Sequence, residues 1–170
     1  MSELRLRALS RELRTGSSPY LRDRRATVSL SLIAMGSLAA VSLYQMGIIR
    51  HLPEPPLPRF DADAVDAAPE AYATLAMPDG VLGLVSYAVT AALAAAGSYD
   101  RSDTRPALPL ALAAKVGFDA AISGKLTLDQ WTKHKAWCFW CLTASAATLA
   151  SVPRVVPEAR AALKSLRESS

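Results

Sequence analysis

A long run without charged side chains constrains this chain more than any other feature. Residues 26 to 49 contain no Asp, Glu, Lys, Arg or His. At about 1.5 Å of rise per residue, a helix of this length crosses a hydrocarbon core of roughly 30 Å. A secretory signal peptide has an apolar region of only about 7–15 residues. We therefore interpret the run as a membrane span that is retained in the protein.

Three later segments have the same character. Residues 80 to 99 and residues 136 to 153 carry no charged side chain. Residues 106 to 124 are apolar apart from Lys115 and Asp119, whose spacing of four places both on one helical face. Because charges are costly in lipid, we expect these two side chains to pair with each other or to face the protein. The sequence predicts an all-α integral membrane protein, a four-helix bundle.

The basic residues outside the spans predict the orientation of the bundle. Thirteen Lys and Arg residues lie in the two tails and in the connection after the second span, against five in the other two connections. Cytoplasmic segments carry the excess of Lys and Arg, so both termini are expected in the cytoplasm. The predicted organisation is a basic tail at residues 1–25, a four-span domain at 26–156 and a second tail at 157–170. The spans are expected at about 26–49, 80–99, 106–124 and 136–153.

The net charge of +4 has the same explanation. The arginines of the N-terminal tail are interrupted by Leu, Glu and Ser, unlike the continuous basic stripe of a nucleic-acid-binding surface. We assign this charge to topology and to contact with lipid head groups, and we expect no nucleic-acid partner. The alanine-rich and arginine-rich composition is compatible with a bacterium, so the expected location is the bacterial inner (plasma) membrane.

Both cysteines of the chain lie in one segment, AWCFWCLTAS, as Cys138 and Cys141. With both termini inside, this segment opens the fourth span at the outer water boundary, where all three tryptophans crowd around it like an interfacial belt. Cysteines at positions i and i+3 share a helical face and can close a small disulfide ring. The positive end of a helix also stabilises a thiolate. The pattern favours a redox-active pair.

Two other interpretations of the pair are open. Free cysteines are often buried as small apolar residues, so the pair could serve packing alone. A tetrahedral zinc site would need both cysteines together with both histidines of the chain, His51 and His134, which lie in two different loops. We favour the redox interpretation because the CxxC spacing and its position at a helix start agree.

The order of these features resembles one known family. Four spans, a long outer loop before the second span, and WCFWCLTAS at the start of the fourth are similar to the vitamin K epoxide reductase family. The stretch PDGVLGLVSY at residues 78 to 87 resembles the start of that family's second helix, with Gly83 and Tyr87 at matching positions. The resemblance covers roughly residues 26 to 156, and it implies a four-helix bundle around a quinone.

The resemblance also implies roles for individual residues. Cys141 reacts with a quinone of the ubiquinone or menaquinone type, and Cys138 exchanges with a thioredoxin-like thiol protein on the outer side of the membrane. The positions that contact the quinone in the family correspond here to Asp79, Gly83, Tyr87 and Ser145. The expected activity is that of a quinone-linked thiol-disulfide oxidoreductase.

The chain departs from the family pattern in ways that leave a second hypothesis open. Members usually carry another cysteine pair in the first outer loop, whereas residues 51 to 79 contain no cysteine. Asp79 and Ser145 also stand where the family often has a different polar residue and an aromatic residue. The alternative function is a non-catalytic membrane subunit, or a module that binds a quinone or a partner.

Overall fold

The computed structural model describes residues 3–169, which form a series of helices and the connections between them. No strand occurs within this described range, where an isolated bridge joins Phe60 and Trp137. The prediction of an all-α chain is therefore confirmed. The α-helices are α1 (Glu3–Thr15), α2 (Pro19–Gln45), α3 (Ala62–Asp66), α4 (Asp79–Ala95), α5 (Arg101–Thr104), α6 (Ala107–Asp129) and α7 (Phe139–Ser169), with a 3₁₀ turn at Pro69–Tyr72 and a π turn at Gln130–His134.

Three helical segments are long and apolar enough to cross a membrane, namely Tyr20–Gln45, Ala107–His134 and Phe139–Glu168. They overlap three of the four predicted spans, each of which extends one to four residues beyond an end of its helix. The remaining predicted span, at residues 80 to 99, corresponds to the shorter apolar helix α4. Its 17 residues extend about 26 Å at 1.5 Å per residue, somewhat less than a full hydrocarbon core.

Small residues let the long helices pack closely. The most extensive contacts join α2 to α4, α2 to α7 and α6 to α7. Ala34 of α2 lies against Ala144 and Ala147 of α7 in one buried cluster. Gly83 of α4 packs closely against α2, and a Cβ added there would require the side chain of Leu38 to move. Such small residues allow helix backbones to approach one another in a membrane.

The charged pair in α6 is formed as the spacing predicts. The ammonium Nζ of Lys115 lies 2.6 Å from Oδ2 of Asp119. The pair faces α4, where Ser86 accepts a hydrogen bond from Lys115 at 2.7 Å and Thr90 donates one to Asp119 at 3.2 Å. These partners offset the cost of placing two charges in an apolar helix.

A second polar cluster joins the helices at the end of the bundle that holds both tails. The guanidinium of Arg24 donates hydrogen bonds to the carbonyl oxygens of Ala94, Ala96 and Gly97, where α4 ends. These carbonyls have no partner within the helix. Arg101 is 0% exposed and forms a two-point ion pair with Glu158 of α7, at 2.8 and 2.6 Å. The cluster ties α2, α4, α5 and α7 together.

The last helix is longer than the span that the sequence predicts. Helix α7 continues past residue 153 to Ser169, although Pro153 and Pro157 both lie inside it. Each proline removes one backbone donor and favours a helix break. Burial of Val155, Glu158 and Ala162 against the neighbouring helices holds the helix together beyond the prolines. Tertiary packing here overrides the local signal of a helix end.

Candidate redox site

A sharp change of backbone direction leads into the cysteine pair. The π turn ends at Lys135, which has a left-handed φ of 54°. The next residues run beside the connection between α2 and α3: the backbone N–H of Trp137 donates to the carbonyl of Arg59 at 2.8 Å, and the N–H of Asp61 donates to the carbonyl of Trp137 at 3.0 Å. The loop is therefore held directly over the start of α7.

Cys138 is the residue that caps α7. It immediately precedes the helix, and its carbonyl accepts a hydrogen bond from the N–H of Leu142 at 3.0 Å. Its sulfur accepts a further hydrogen bond from the backbone N–H of Cys141 at 3.2 Å. A side chain that caps a helix start in this way satisfies one of the free N–H groups there. The positive end of the helix also stabilises negative charge on that sulfur.

The long connection between α2 and α4 brings a carboxylate to the two sulfurs. Asp61 caps α3 by accepting a hydrogen bond from the N–H of Ala64 at 2.9 Å, and the helix buries Asp66 at its end. The thiol of Cys141 donates to Oδ1 of Asp66 at 3.3 Å. Ligand atoms of Asp66, Cys138 and Cys141 all lie within 4.8 Å of one another. The site is a dithiol with an adjacent carboxyl group.

Asp66 is in an unusual environment for a carboxyl group. The residue is 2% exposed, and its Oδ2 has no hydrogen-bond partner among residues 3–169. Burial raises the pKa of Asp66 to about 6, while the neighbouring Cys138 and Cys141 side chains oppose this by stabilising the carboxylate. The carboxyl group therefore changes protonation within the pH range in which thiol exchange takes place.

The sequence pattern does not single out Asp66. It is one of six acidic residues between positions 51 and 79, a segment expected to cap the bundle from outside. The sequence pattern that could identify Asp66 as buried is weak. Asp66 follows Val65 and lies four residues after Ala62, and all three are buried in α3. A single turn of helix gives too short a pattern to identify a buried face.

The cysteines differ in accessibility. Both are free thiols in this structure, and Cys138 is 0% exposed whereas Cys141 is partly exposed. The backbone N–H of Cys138 donates to Oε1 of Gln130 at 3.0 Å, and the indole N–H of Trp140 donates to the carbonyl of Pro53 at 2.8 Å. The π turn and the connection after α2 thus cover Cys138 from the side where α7 begins.

Two of the positions expected to contact a quinone lie in the first turns of α4. Oδ1 of Asp79 accepts a hydrogen bond from the amide of Gln45 at 2.7 Å, and the same amide donates to the carbonyl of Asp66 at 3.3 Å. Gln45 thus links Asp79 of α4 to α3, the helix that carries Asp66. Gly83, one turn further along α4, packs against Leu38 of α2.

The other two positions lie deeper in the bundle. The hydroxyl groups of Tyr87 and Thr148 are 2.5 Å apart, and the hydroxyl of Thr127 donates to Ser145 at 3.2 Å. These hydrogen bonds connect α4 to α7 and α6 to α7. Tyr87 also lines a small pocket together with Asp119. Of the predicted quinone contacts, Asp79 is therefore linked to Asp66 through Gln45. The hydrogen bonds of Tyr87 and Ser145 are instead made at the middle of α7.

The histidines that a zinc site would need do not lie beside the cysteines. Nδ1 of His51 lies 2.7 Å from Oδ2 of Asp63 at an exposed position. Within the described part of the chain, the group of potential metal ligands consists of Asp66, Cys138 and Cys141 and contains no histidine. The two-cysteine, two-histidine arrangement considered from the sequence is therefore not formed.

A match to one known family covers most of the chain. A family model described as the vitamin K epoxide reductase family matches residues 25–156. The chain belongs to the vitamin K epoxide reductase family. This result confirms the family predicted from the motifs, with nearly the same boundaries. No curated protein and no solved structure gives a significant match to the chain.

Membership of the vitamin K epoxide reductase family gives the class of chemistry. The family consists in general of membrane oxidoreductases that act on thiols and disulfides and are associated with quinones. The matched region contains α4, α6, both cysteines and Asp66, and it leaves α1 and the last turns of α7 outside. The cysteine cluster therefore lies within the part of the chain that defines the family.

Proposed function

We propose that this protein is a quinone-linked thiol-disulfide oxidoreductase of the bacterial inner (plasma) membrane. The observation that carries the proposal is the cluster at the start of α7. The sulfur of Cys138 caps the helix, and the thiol of Cys141 donates to the buried Asp66. Packing alone does not require a carboxyl group to be buried beside a dithiol, because such burial is costly. Redox chemistry does use a group that accepts a proton from a thiol.

The proposed reaction releases two electrons and two protons from the dithiol. The S–H bonds of Cys138 and Cys141 break, and one S–S bond forms between the sulfurs. A quinone of the ubiquinone or menaquinone type supplies the two-electron acceptor, becoming a hydroquinone. The protein holds the two sulfurs close together at a helix start, where the developing negative charge is stabilised.

The pair is returned to the dithiol by a thiol partner outside the membrane. We propose a thioredoxin-like protein whose own dithiol becomes a disulfide by exchange at Cys138. Because Cys138 is covered by the first outer loop, this exchange requires residues 59–61 to move away from Trp137. The absence of a cysteine pair from this loop means that the partner meets Cys138 without an intermediate pair.

The outer end of the bundle has groups that suit a quinone ring. The unpartnered Oδ2 of Asp66 is an acceptor for a hydroquinone O–H, and it lies beside Cys141. Asp79, Tyr87 and Ser145 are the further polar groups that we propose for this role, with Gly83 keeping α2 and α4 close together. Few polar groups on an otherwise apolar wall are typical of cofactor sites.

The proposed orientation places both termini in the cytoplasm and α3 outside. In a cysteine-free background, Ala64→Cys should react with a membrane-impermeant maleimide in intact cells, because Ala64 is exposed on α3. Ser10→Cys, exposed on α1, is the matched control and should react only after the cells are permeabilised. The opposite labelling pattern would reverse the orientation and remove the oxidising compartment from the cysteine pair.

The proposed electron transfer can be measured on the purified protein. We expect the reduced protein to lose both alkylatable thiols when a ubiquinone or menaquinone analogue is added under anaerobic conditions, and to keep them when the corresponding hydroquinone is added. Only the quinone can accept the two electrons of the dithiol. Retention of both thiols with every quinone would favour the alternative function, a non-catalytic membrane subunit or binding module.

A further inference from the structure

We propose that Asp66 is the group that accepts the thiol proton of Cys141, an assignment that rests on the redox function proposed above. The motif WCFWC identifies the two cysteines as the redox pair. It contains no residue of the first outer loop, where Asp66 lies. Asp66 touches the reacting S–H bond, with 3.3 Å between Sγ of Cys141 and Oδ1. The two residues are 75 positions apart in the chain, so the contact is a product of the fold.

The position of Asp66 is built by several contacts to α2 and to the loop. The amide of Gln45 donates to the carbonyl of Asp66 at 3.3 Å, and the hydroxyl of Tyr44 donates to the carbonyl of Asp63 at 3.2 Å. The N–H of Ala62 donates to a carboxylate oxygen of Glu54 at 2.7 Å. These bonds hold the backbone of α3 at three points and leave the carboxyl group of Asp66 directed at the sulfurs.

The ionisable groups that face Asp66 come from each element packed around it. They are the two thiols at the start of α7, Asp79 on α4, Glu54 in the loop and Tyr44 on α2. Burial raises the pKa of Asp66 to about 6, and the nearby carboxylates of Asp79 and Glu54 act in the same direction. At neutral pH the group is therefore a carboxylate that can take up a proton readily and release it again.

A small aromatic disulfide, unlike the protein partner, can reach the partly exposed Cys141 directly, so the reduced dithiol reacts with it first at Cys141. The proton of Cys141 moves to Oδ1 of Asp66, and the sulfur electron pair forms a new S–S bond while the attacked disulfide releases one thiolate. Cys138 then loses its proton to water and attacks Sγ of Cys141. This second exchange closes the protein disulfide and releases the second thiolate. Two electrons pass to the disulfide, and Asp66 returns its proton to water.

The test uses an aromatic disulfide that releases a coloured thiolate, so that no quinone is required. We expect the rate of release from the reduced wild-type protein to rise with pH through about 6, where Asp66 loses its proton. Asp66→Asn cannot accept a proton and should lose this inflection, with a rate at neutral pH lower by about a hundredfold. Asp66→Glu should restore the inflection in part.

Asp63→Asn is the matched control on the same helix. Asp63 accepts hydrogen bonds from the N–H of Leu52 and from His51, and it contributes to the structure of the loop rather than to the sulfurs. This variant should keep the inflection near pH 6 even if the loop is less stable. Equal pH profiles for Asp63→Asn and Asp66→Asn, or an unchanged profile in Asp66→Asn, would overturn the proposal.

A second pair of variants decides the question if Asp66→Asn does not fold. Cys138→Ser keeps the Cys141–Asp66 contact and should keep the inflection near pH 6, whereas Cys141→Ser leaves only Cys138 and should lose it. Persistence of the inflection in Cys141→Ser would reject the assigned proton transfer. Because no quinone is present, this result is independent of quinone reduction, and failure of quinone reduction alone would count against the proposed function only.

Discussion

A Cys141→Ser variant is expected to lose all quinone-dependent disulfide formation and to accumulate as a mixed disulfide with its thiol partner. A single thiol cannot close the intramolecular disulfide, so electron transfer to the quinone stops. Cys138 remains able to attack the disulfide form of the partner, which releases one partner thiolate, and the variant has no second cysteine of its own to resolve the mixed disulfide. The trapped species should be visible as a larger band on a non-reducing gel of membranes, and it should disappear on reduction.

The matched variant is Cys138→Ser. It should also lose disulfide formation, but it should trap no partner, because Cys141 lies one turn further into α7 beside Asp66. Trapping by Cys138→Ser and not by Cys141→Ser would reverse the two roles, and the partial exposure of Cys141 would be the reason. Identical behaviour of both variants, without trapping and without any change in quinone reduction, would support the non-catalytic alternative.

Arg101→Ala is expected to cause the largest loss of stability of any single change away from the cysteines. The variant leaves the carboxylate of Glu158 buried without its partner, and it removes donors from the carbonyls of Leu93 and Ala96. Breaking a buried ion pair by removing one partner costs about 3–5 kcal/mol. The measurement is the free energy of unfolding of the purified protein in a mixed-micelle denaturation series.

Arg105→Ala serves as the control for this prediction. Arg105 follows α5 and is exposed, and its replacement should change the free energy of unfolding by no more than about 0.5 kcal/mol. The double variant Arg101→Leu with Glu158→Leu should recover part of the loss, because it removes both buried charges together. Equal stability of Arg101→Ala and Arg105→Ala would show that the pair between α5 and α7 does not stabilise the bundle.

Much of the architecture can be predicted because the hydrophobic signal is local. A run such as residues 26–49 is apolar along its whole length, so it indicates a membrane helix without knowledge of any neighbour. The spacing of Lys115 and Asp119 is likewise a property of one helix, and the predicted pair is formed. The family could be recognised for a similar reason, since WCFWCLTAS and PDGVLGLVSY are short continuous motifs within residues 25–156.

Helix ends were harder to predict because packing outweighs local preferences there. Pro153 favours a helix end, but α7 continues through it while contacts to other helices bury Val155 and Glu158. In the same way, Arg24 and Arg101 are basic residues that the sequence assigns to orientation. The structure buries both and uses them to bind the carbonyls at the end of α4. Neither outcome can be derived from one helix alone.

The sequence by itself determined three helices long and apolar enough to cross a membrane, the family and the position of the cysteine pair, because each depends on residues that are adjacent in the chain. Only the tertiary structure decided which of the six acidic residues between positions 51 and 79 reaches the dithiol, namely Asp66. That contact joins residues 75 positions apart. It depends on Gln45, on the cap of α3 and on the bridge to Trp137 acting together. Such a combination of long-range contacts leaves no periodic pattern in the sequence.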